Sequence, residues 1–221
     1  MDRPEEIDVT FLISDLAGYT ALTEAHGNLH AAEVIHRYVQ LSDSILTPSV
    51  KRVERVGDEL LIVADSPADA VGAAIRLREL VDQEPRFPTV RCGIHRGSTV
   101  VRGAAYFGAA LNLTARVASH ARAGQILCSD RVAHTAPVLP DVTYRPLGPV
   151  RFKNVPEAVQ IFEVIWGPPA AGEIHVDPVC QMRVTPGSET PRLPFGSEVH
   201  YFCSFECARQ FAARPEDYTL A

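Results

Sequence analysis

Three features that mark common classes of protein are missing from this 221-residue sequence. No apolar run approaches the roughly 20 residues that a membrane-spanning helix requires, so we expect no membrane segment. The first residues, MDRPEEIDV, are acidic and lack the basic-then-apolar order of a secretory signal. A basic surplus is also absent, since the formal net charge is −6, which argues against a general nucleic-acid binder. These absences predict a cytoplasmic protein that binds neither nucleic acid nor membrane.

A disulfide framework is also not indicated, because the five cysteines are odd in number and the expected compartment is reducing. Cys92 and Cys128 stand alone in apolar stretches, and we expect them to be small core residues. Cys180, Cys203 and Cys207 crowd the end of the chain. The grouping leaves metal binding or buried thiols as the two interpretations.

Hydrophobic periodicity predicts alternating helices and strands through most of the chain. Residues 50–56 and 59–64 read as a hairpin that turns at Gly57 and Asp58, and Ser66 followed by Pro67 reads as a helix start. Further strands are predicted at 8–14, 89–95, 125–128, 142–147 and 159–165, and further helices at 19–47 and 107–122. The order β-α-β-β-α-β with additional strands predicts an α+β sandwich of the ferredoxin-like type.

Proline and glycine divide the chain into two units. The stretch GPPAAG at 167–172 is typical of a linker, which predicts a large domain at 1–166, a linker at 167–173 and a small Cys-rich module at 174–221. A segment of under about 50 residues seldom folds on a hydrophobic core alone, so we expect this module to need a metal, a disulfide or a partner. Residues 174–221 are called the tail module below.

Two aspartates lie where acids could act together. Asp15 ends the first predicted strand, and Asp58 sits at the turn of the hairpin. Two such acids can hold Mg²⁺ or Mn²⁺ against phosphate oxygens, or they can be an ordinary helix cap and an ordinary turn residue. The helix that starts after Asp15 offers backbone amides to an anion such as a triphosphate. Those amides belong to Ala17, Gly18, Tyr19 and Thr20.

Five motifs occur in this order along the chain: VTFLISDLAGYT, ERVGDELLIVA, VRCGIHRG, YFGAALNLTAR and AGQILCSD. Together they resemble the catalytic domain of the class III nucleotidyl cyclases, the adenylate and guanylate cyclase family. The resemblance covers about residues 7–165. It implies the family's head-to-tail homodimer, in which each active site is shared between two subunits.

The resemblance also implies roles for individual residues. Asp15 and Asp58 would bind two metal ions, Mg²⁺ or Mn²⁺. Asn112 and Arg116 would come from the partner subunit, where the amide orients the ribose and the guanidinium neutralises charge on the transferring phosphate. Lys153 falls where the family often places a phosphate-contacting lysine, although Asn154 replaces the usual glycine beside it.

Base recognition departs from the family's patterns. Glu54 stands where adenylate cyclases have lysine and guanylate cyclases have glutamate, whose carboxylate can accept hydrogen bonds from guanine. The second base-reading position is Ala105, which offers no side-chain hydrogen bond. The sequence therefore leaves GTP, ATP or both as substrates.

The tail module carries its own signature, C-x22-C-x3-C, within DPVCQM and YFCSFECARQF. It resembles the YHS/TRASH type of metal-binding module. Cys180, Cys203 and Cys207 would then bind a soft cation such as Zn²⁺ or Cu⁺. The candidates for a fourth ligand are His200, Asp177 and an exogenous group, and the alternative is three reduced thiols in a small core.

The predicted function follows from these resemblances. We expect a nucleotidyl cyclase of the phosphorus–oxygen lyase class that makes a cyclic nucleotide for intracellular signalling and is regulated by metal binding to the tail module. The alternative is a catalytically weak or inactive nucleotide or metal sensor that keeps the cyclase fold.

Overall fold

One eight-stranded sheet organises the larger part of the chain in a computed structural model, which describes residues 5–135, 139–167 and 175–219. The strands follow the order β2-β3-β1-β4-β6-β8-β7, and β5 pairs with β4. Their bounds are β1 Glu5–Leu16, β2 Val50–Val56, β3 Glu59–Ala64, β4 Val90–Arg102, β5 Ala105–Phe107, β6 Ile126–Ser129, β7 Val142–Val150 and β8 Val159–Trp166. The helices of this part are α1 Tyr19–Ser44, α2 Pro67–Gln83, α3 Ala109–His120 and α4 Asp130–Ala133.

The first six elements form the expected β-α-β-β-α-β unit. Strand β1 lies antiparallel between β3 and β4, and β2 pairs with the outer side of β3. This order confirms the ferredoxin-like arrangement. The predicted hairpin strands match β2 and β3 residue for residue, and the Ser66 hydroxyl accepts a hydrogen bond from the Asp69 amide at the start of α2. None of the helices in the described ranges is long and apolar enough to cross a membrane.

Successive side chains of β1 point to opposite faces of the sheet and are buried on both, as the period of a strand requires. Leu12 and Leu16 belong to the main core, under α1 and α2. Phe11 and Ile13 point to the other face, where they pack with Ala110 and Ala118 of α3. The sheet therefore lies between two helical layers, and α3 is on the layer opposite α1 and α2.

Helix α3 approaches the sheet very closely at Gly93 of β4. A Cβ atom on Gly93 would lie 2.1 Å from the backbone nitrogen of Ala118 and 2.5 Å from its Cα atom. Only glycine permits this backbone-to-backbone contact. The contact fixes the height of α3 above the sheet.

Helix α1 is interrupted near its start. Gly27 has φ 81° and ψ 166°, which lie outside the helical region, so a short segment, Tyr19 to His26, precedes the break. Gly18, directly before that segment, also has a positive φ of 74°. The sequence predicted one continuous helix at 19–47 and gave no sign of this break.

The tail module consists of β9 His175–Val176, β10 Arg183–Val184, β11 Arg192–Phe195, β12 Glu198–Tyr201, α5 Phe205–Ala213 and α6 Glu216–Thr219. It packs directly on the large domain, because Phe202 and Phe211 belong to the same continuous core as α1 and α2. The Arg183 guanidinium forms an ion pair with Asp82 of α2 at 2.6 Å. Most of the predicted linker at 167–173 lies outside the described residues.

Candidate active site and thiol cluster

Asp15 and Asp58 lie together at one edge of the sheet. Asp15 is near the end of β1, and Asp58 occupies the turn between β2 and β3, which is the strand beside β1. Burial raises the pKa of Asp58, and the negative charge of Asp15 adds to that rise, although hydrogen bonds from the backbone amides of Asp58 and Leu16 oppose it. The fold thus brings together the two acids that the sequence singled out.

Arg91 of β4 is a third member of this site, and the sequence did not point to it. Its Nε and Nη2 atoms donate to the two carboxylate oxygens of Asp15 at 2.6 and 2.8 Å. The two residues are register partners on adjacent strands. Strand pairing was therefore the signal that could have identified Arg91. The pKa of Arg91 is raised, chiefly by its hydrogen bonds to Asp15.

Glu59 adds a further carboxylate to the same edge. Burial raises its pKa, and so do the charges of Asp15 and Asp58. Three carboxylates therefore lie close enough to one guanidinium to affect its pKa, and the excess negative charge suits hard divalent cations that prefer oxygen ligands. On this observation Asp15 and Asp58 fit a Mg²⁺ or Mn²⁺ site.

The predicted anion site at the start of α1 has fewer available amides than the sequence suggested. The Ala17 amide donates to the carbonyl oxygen of Thr89 at 2.9 Å, so that amide is not available to a phosphate. Gly18, Tyr19 and Thr20 remain at the helix start. Gln181 of the tail module lies directly against Gly18, since a Cβ atom on Gly18 would approach its Cγ atom within 2.2 Å.

Asn112 and Arg116 are exposed on α3, four residues apart. Asn112 and Glu54 of the same chain line one cavity of about 150 Å³, together with apolar residues that include Leu61 and Ala115. Ala105 is exposed in β5. Lys153 is exposed between β7 and β8. The structure thus places one predicted base-reading residue beside the predicted ribose-orienting residue.

Three thiols and one imidazole form a second cluster at the contact between the tail module and α1. The Sγ atom of Cys203 lies 3.4 Å from that of Cys180 and 3.7 Å from that of Cys207. The Nε2 atom of His26 lies 3.5 Å from the Sγ atom of Cys203 and 3.7 Å from that of Cys207. All four atoms lie within 4.8 Å of one another. Cys180, Cys203 and Cys207 are called the thiol cluster below.

His26 was not among the candidates for the fourth ligand, and His200 does not take that place. His200 lies against the Phe211 ring, with 4.9 Å between the ring centroids. Asp177 is fully buried, but its carboxylate accepts hydrogen bonds from the amides of Val179 at 2.8 Å and Cys203 at 2.7 Å. Asp177 therefore positions the backbone that carries the thiols, and its oxygens are committed to that task.

The five cysteines fall into two electrostatic groups. Burial raises the pKa of Cys92 and Cys128 to about 12, which is consistent with inert core thiols, and both are fully buried as expected. In the thiol cluster, hydrogen bonds from Cys180 and Cys203 lower the pKa of Cys207, whereas the contacts with Cys203 and Cys207 raise that of Cys180. One thiolate is thus stabilised by its neighbours.

His95 of β4 is buried away from both sites. Its Nδ1 atom is hydrogen-bonded to the Ser129 hydroxyl at 2.7 Å. Burial lowers the pKa of His95 to about 4, with a smaller effect from Arg131. This is the environment of a neutral structural histidine.

Comparison with known proteins adds three findings. The family described as "Adenylate and Guanylate cyclase catalytic domain" matches residues 1–162. A pH-sensitive adenylate cyclase of Mycobacterium tuberculosis is 29% identical over 172 residues, which are 76% of this chain and 43% of that protein. A copper-transporting P-type ATPase of Rhizobium leguminosarum is 46% identical over 52 residues, which are 24% of this chain and 6% of that protein.

Among solved structures, the adenylate/guanylate cyclase/hydrolase from Silicibacter pomeroyi is similar at a TM-score of 0.65 and 26% identity. The match covers 76% of this chain and 100% of that one. The chain thus spans less than half the length of the curated mycobacterial relative, while its larger part corresponds to a complete solved domain.

Proposed function

Because this chain belongs to the adenylate and guanylate cyclase family, we propose that it converts GTP or ATP to the 3′,5′-cyclic monophosphate and pyrophosphate. The observation that carries the proposal is the meeting of Asp15 and Asp58 at the sheet edge, with a surplus of carboxylates over cations around them. That site lies directly before a helix start, where backbone amides favour phosphate.

Asp15 and Asp58 are the residues that would hold two Mg²⁺ or Mn²⁺ ions. Bound there, the ions would help to deprotonate the ribose 3′-hydroxyl and would neutralise the pyrophosphate that leaves. The 3′-oxygen, with its proton released to solvent water, would form a bond to the α-phosphorus while the bond from that phosphorus to the bridging oxygen of pyrophosphate breaks.

The remaining groups position the substrate and neutralise its charge. The amides of Gly18, Tyr19 and Thr20 face the phosphates from the start of α1, and Lys153 contributes a positive charge. Arg91 is about one-third exposed and lies beside Asp15, so its guanidinium can turn to a phosphate once a cation has neutralised that aspartate. Arg116 would stabilise the charge of the transition state.

A homodimer would complete the site. We propose that Asn112 and Arg116 act on the nucleotide held by the acids of the partner subunit, so that the amide orients the ribose. Their exposure on α3 supports this arrangement. Val56 of β2 and Phe107 of β5 are apolar side chains of the large domain that are 65% and 55% exposed. They are candidates for burial in the dimer.

The purine would be read by an incomplete set of groups. Glu54 can accept hydrogen bonds from the N1–H and 2-amino groups of guanine, and it shares its cavity with Asn112. Ala105 adds no hydrogen bond. Since hydrogen-bond complementarity is what rejects the wrong base, we expect weak discrimination between GTP and ATP.

A turnover assay tests the enzymatic proposal. Purified protein with Mn²⁺ or Mg²⁺ and either nucleotide should release a cyclic nucleotide, and Asp58→Asn should abolish the product. Asp43→Asn is the matched control, because Asp43 is an exposed residue of α1 whose side chain pairs with Arg52. No product from either nucleotide with either metal would contradict the proposal.

A nucleotide sensor without turnover is the second candidate. The observation that favours it is the two-pronged pairing of Arg91 with Asp15, which occupies both oxygens of one proposed metal ligand. This function predicts saturable binding of GTP or ATP without release of pyrophosphate. The same assay, run beside a binding measurement, separates the two functions.

The tail module would bind a soft cation through its three thiols. Thiolates favour Zn²⁺ or Cu⁺. We propose that this site regulates the cyclase, since the tail module contacts Gly18 beside the proposed phosphate site.

A further inference from the structure

His26 of α1 is the only histidine in the described residues that joins the thiol cluster, and it comes from outside the tail module. It lies 177 residues before Cys203 and 181 residues before Cys207. The ligand set is therefore split between the two parts of the chain. A metal held by all four groups would connect the large domain to the tail module.

Four of the six distances between these atoms are close to those of a tetrahedral zinc site. Bonds of about 2.3 Å to sulfur and about 2.05 Å to nitrogen place tetrahedral ligands about 3.8 Å apart for two sulfurs and about 3.6 Å apart for sulfur and nitrogen. In the structure, Cys203 lies 3.4 and 3.7 Å from the other two sulfurs, and His26 lies 3.5 and 3.7 Å from the sulfurs of Cys203 and Cys207; the two remaining pairs lie within 4.8 Å. A disulfide would need about 2.05 Å between sulfurs, so the spacing is that of separate thiols.

The surroundings also suit a bound ion. Asp177 accepts hydrogen bonds from the amides of Cys180 and Cys203, which lie in the two segments that carry the thiols. Groups next to metal ligands commonly orient the ligands in this way. Cys203 also lines a cavity of about 640 Å³ with Thr190 and Phe205, which gives an ion a path to the cluster.

We propose that His26, Cys180, Cys203 and Cys207 bind one Zn²⁺ ion, and that this ion fastens the tail module to the Tyr19–His26 segment of α1. The inference rests on the tail-module site proposed above and adds the imidazole of the cyclase domain to it. It does not depend on catalytic turnover. Because Gly27 interrupts α1 directly after His26, the ion would hold one end of a short segment whose other end is the Gly18 loop.

Zinc titration of the reduced, chelator-treated full chain tests the site. We expect one equivalent of Zn²⁺ to bind to the unaltered protein, and His26→Ala to weaken that binding by about 100-fold or more, since even groups outside the ligand shell cost about 10- to 100-fold. His36→Ala is the matched control, because His36 is an exposed histidine of the same helix. It should leave the affinity unchanged.

Two further measurements keep the test decisive. Absorption of the Co²⁺-loaded protein should show a tetrahedral thiolate complex that changes with His26→Ala, and circular dichroism should show that the variant folds. Limited proteolysis should find the tail module protected by Zn²⁺ in the unaltered chain and less protected in His26→Ala.

The outcomes separate the two proposals. Zinc binding that is equal in His26→Ala and the unaltered chain would overturn the bridging role of His26 and leave a three-thiol site. Cu⁺ binding that is tighter than Zn²⁺ binding and is unchanged by His26→Ala would also overturn the bridging role of His26. Absence of Zn²⁺ binding by the reduced protein would overturn the zinc site proposed here, and absence of both Zn²⁺ and Cu⁺ binding would overturn the tail-module site itself, whatever the cyclase assay shows.

Discussion

Gly93→Ala is the substitution whose effect the structure defines most sharply. The added Cβ atom would lie 2.1 Å from the backbone nitrogen of Ala118, whereas carbon atoms pack well at about 3.5 Å. The obstacle is helix backbone, which cannot turn away as a side chain can. Relief therefore requires α3 to move by about 1.4 Å, or β4 to give by a similar amount.

The cost should appear in both stability and activity. Overpacking of this kind destabilises by about 1–3 kcal/mol, which urea unfolding followed by circular dichroism resolves. Displacing α3 also moves Asn112 and Arg116, and a misplacement of about 1 Å can cost about 100-fold in rate, so cyclase turnover should fall more than stability suggests.

Gly72→Ala is the control for that experiment. Gly72 lies within α2, where a Cβ atom would meet only the tip of Arg76 at 3.4 Å. Removing a helical glycine should stabilise by about 0.5–1 kcal/mol. If Gly93→Ala unfolded within about 0.5 kcal/mol of the unaltered chain, the tight contact of α3 with β4 would be refuted.

Three other predictions use single residues. Glu54→Lys should lower kcat/KM for GTP relative to ATP by about 10-fold or more, because it replaces an acceptor of guanine hydrogen bonds by a donor; an unchanged ratio would remove Glu54 from base recognition. The pKa of His95 is about 4 in the fold and about 6.5 when unfolded, so the unfolded chain binds more protons between these values. The free energy of unfolding, measured with urea, should have its full value above pH 6.5 and should fall by about 3 kcal/mol as the pH drops to 4. His95→Gln should remove most of this dependence on pH. Arg183→Gln should destabilise by about 1–3 kcal/mol, because Arg183 is mostly buried in its pair with Asp82, whereas Arg209→Gln, which breaks an exposed pair, should change the unfolding midpoint little.

Sequence patterns predicted the sheet well where strands are local and strongly apolar. The hairpin of β2 and β3 needed only β-rich runs on either side of Gly57, and its bounds agree with the structure. The end of α1 was placed at 47 and lies at Ser44. The interruption at Gly27 was missed because a single glycine within a helical pattern is usually tolerated.

The sites were predictable only as far as motifs reach. Asp15, Asp58 and the thiol cluster came from local spacing, and the fold brings each set together. Arg91 and His26 complete those sets from other parts of the chain. Arg91 required strand register, and His26 required the docking of the tail module, which no pattern within either segment encodes.

The split origin of the four-ligand site has a consequence for the order of events in the cell. His26 emerges from the ribosome long before Cys207, which follows 181 residues later, or about 10–40 s at ordinary rates of synthesis. The large domain can fold in that interval, but the ion cannot be bound by all four groups until the last thiol has been made. The four-ligand zinc site would then form only in chains translated through Cys207.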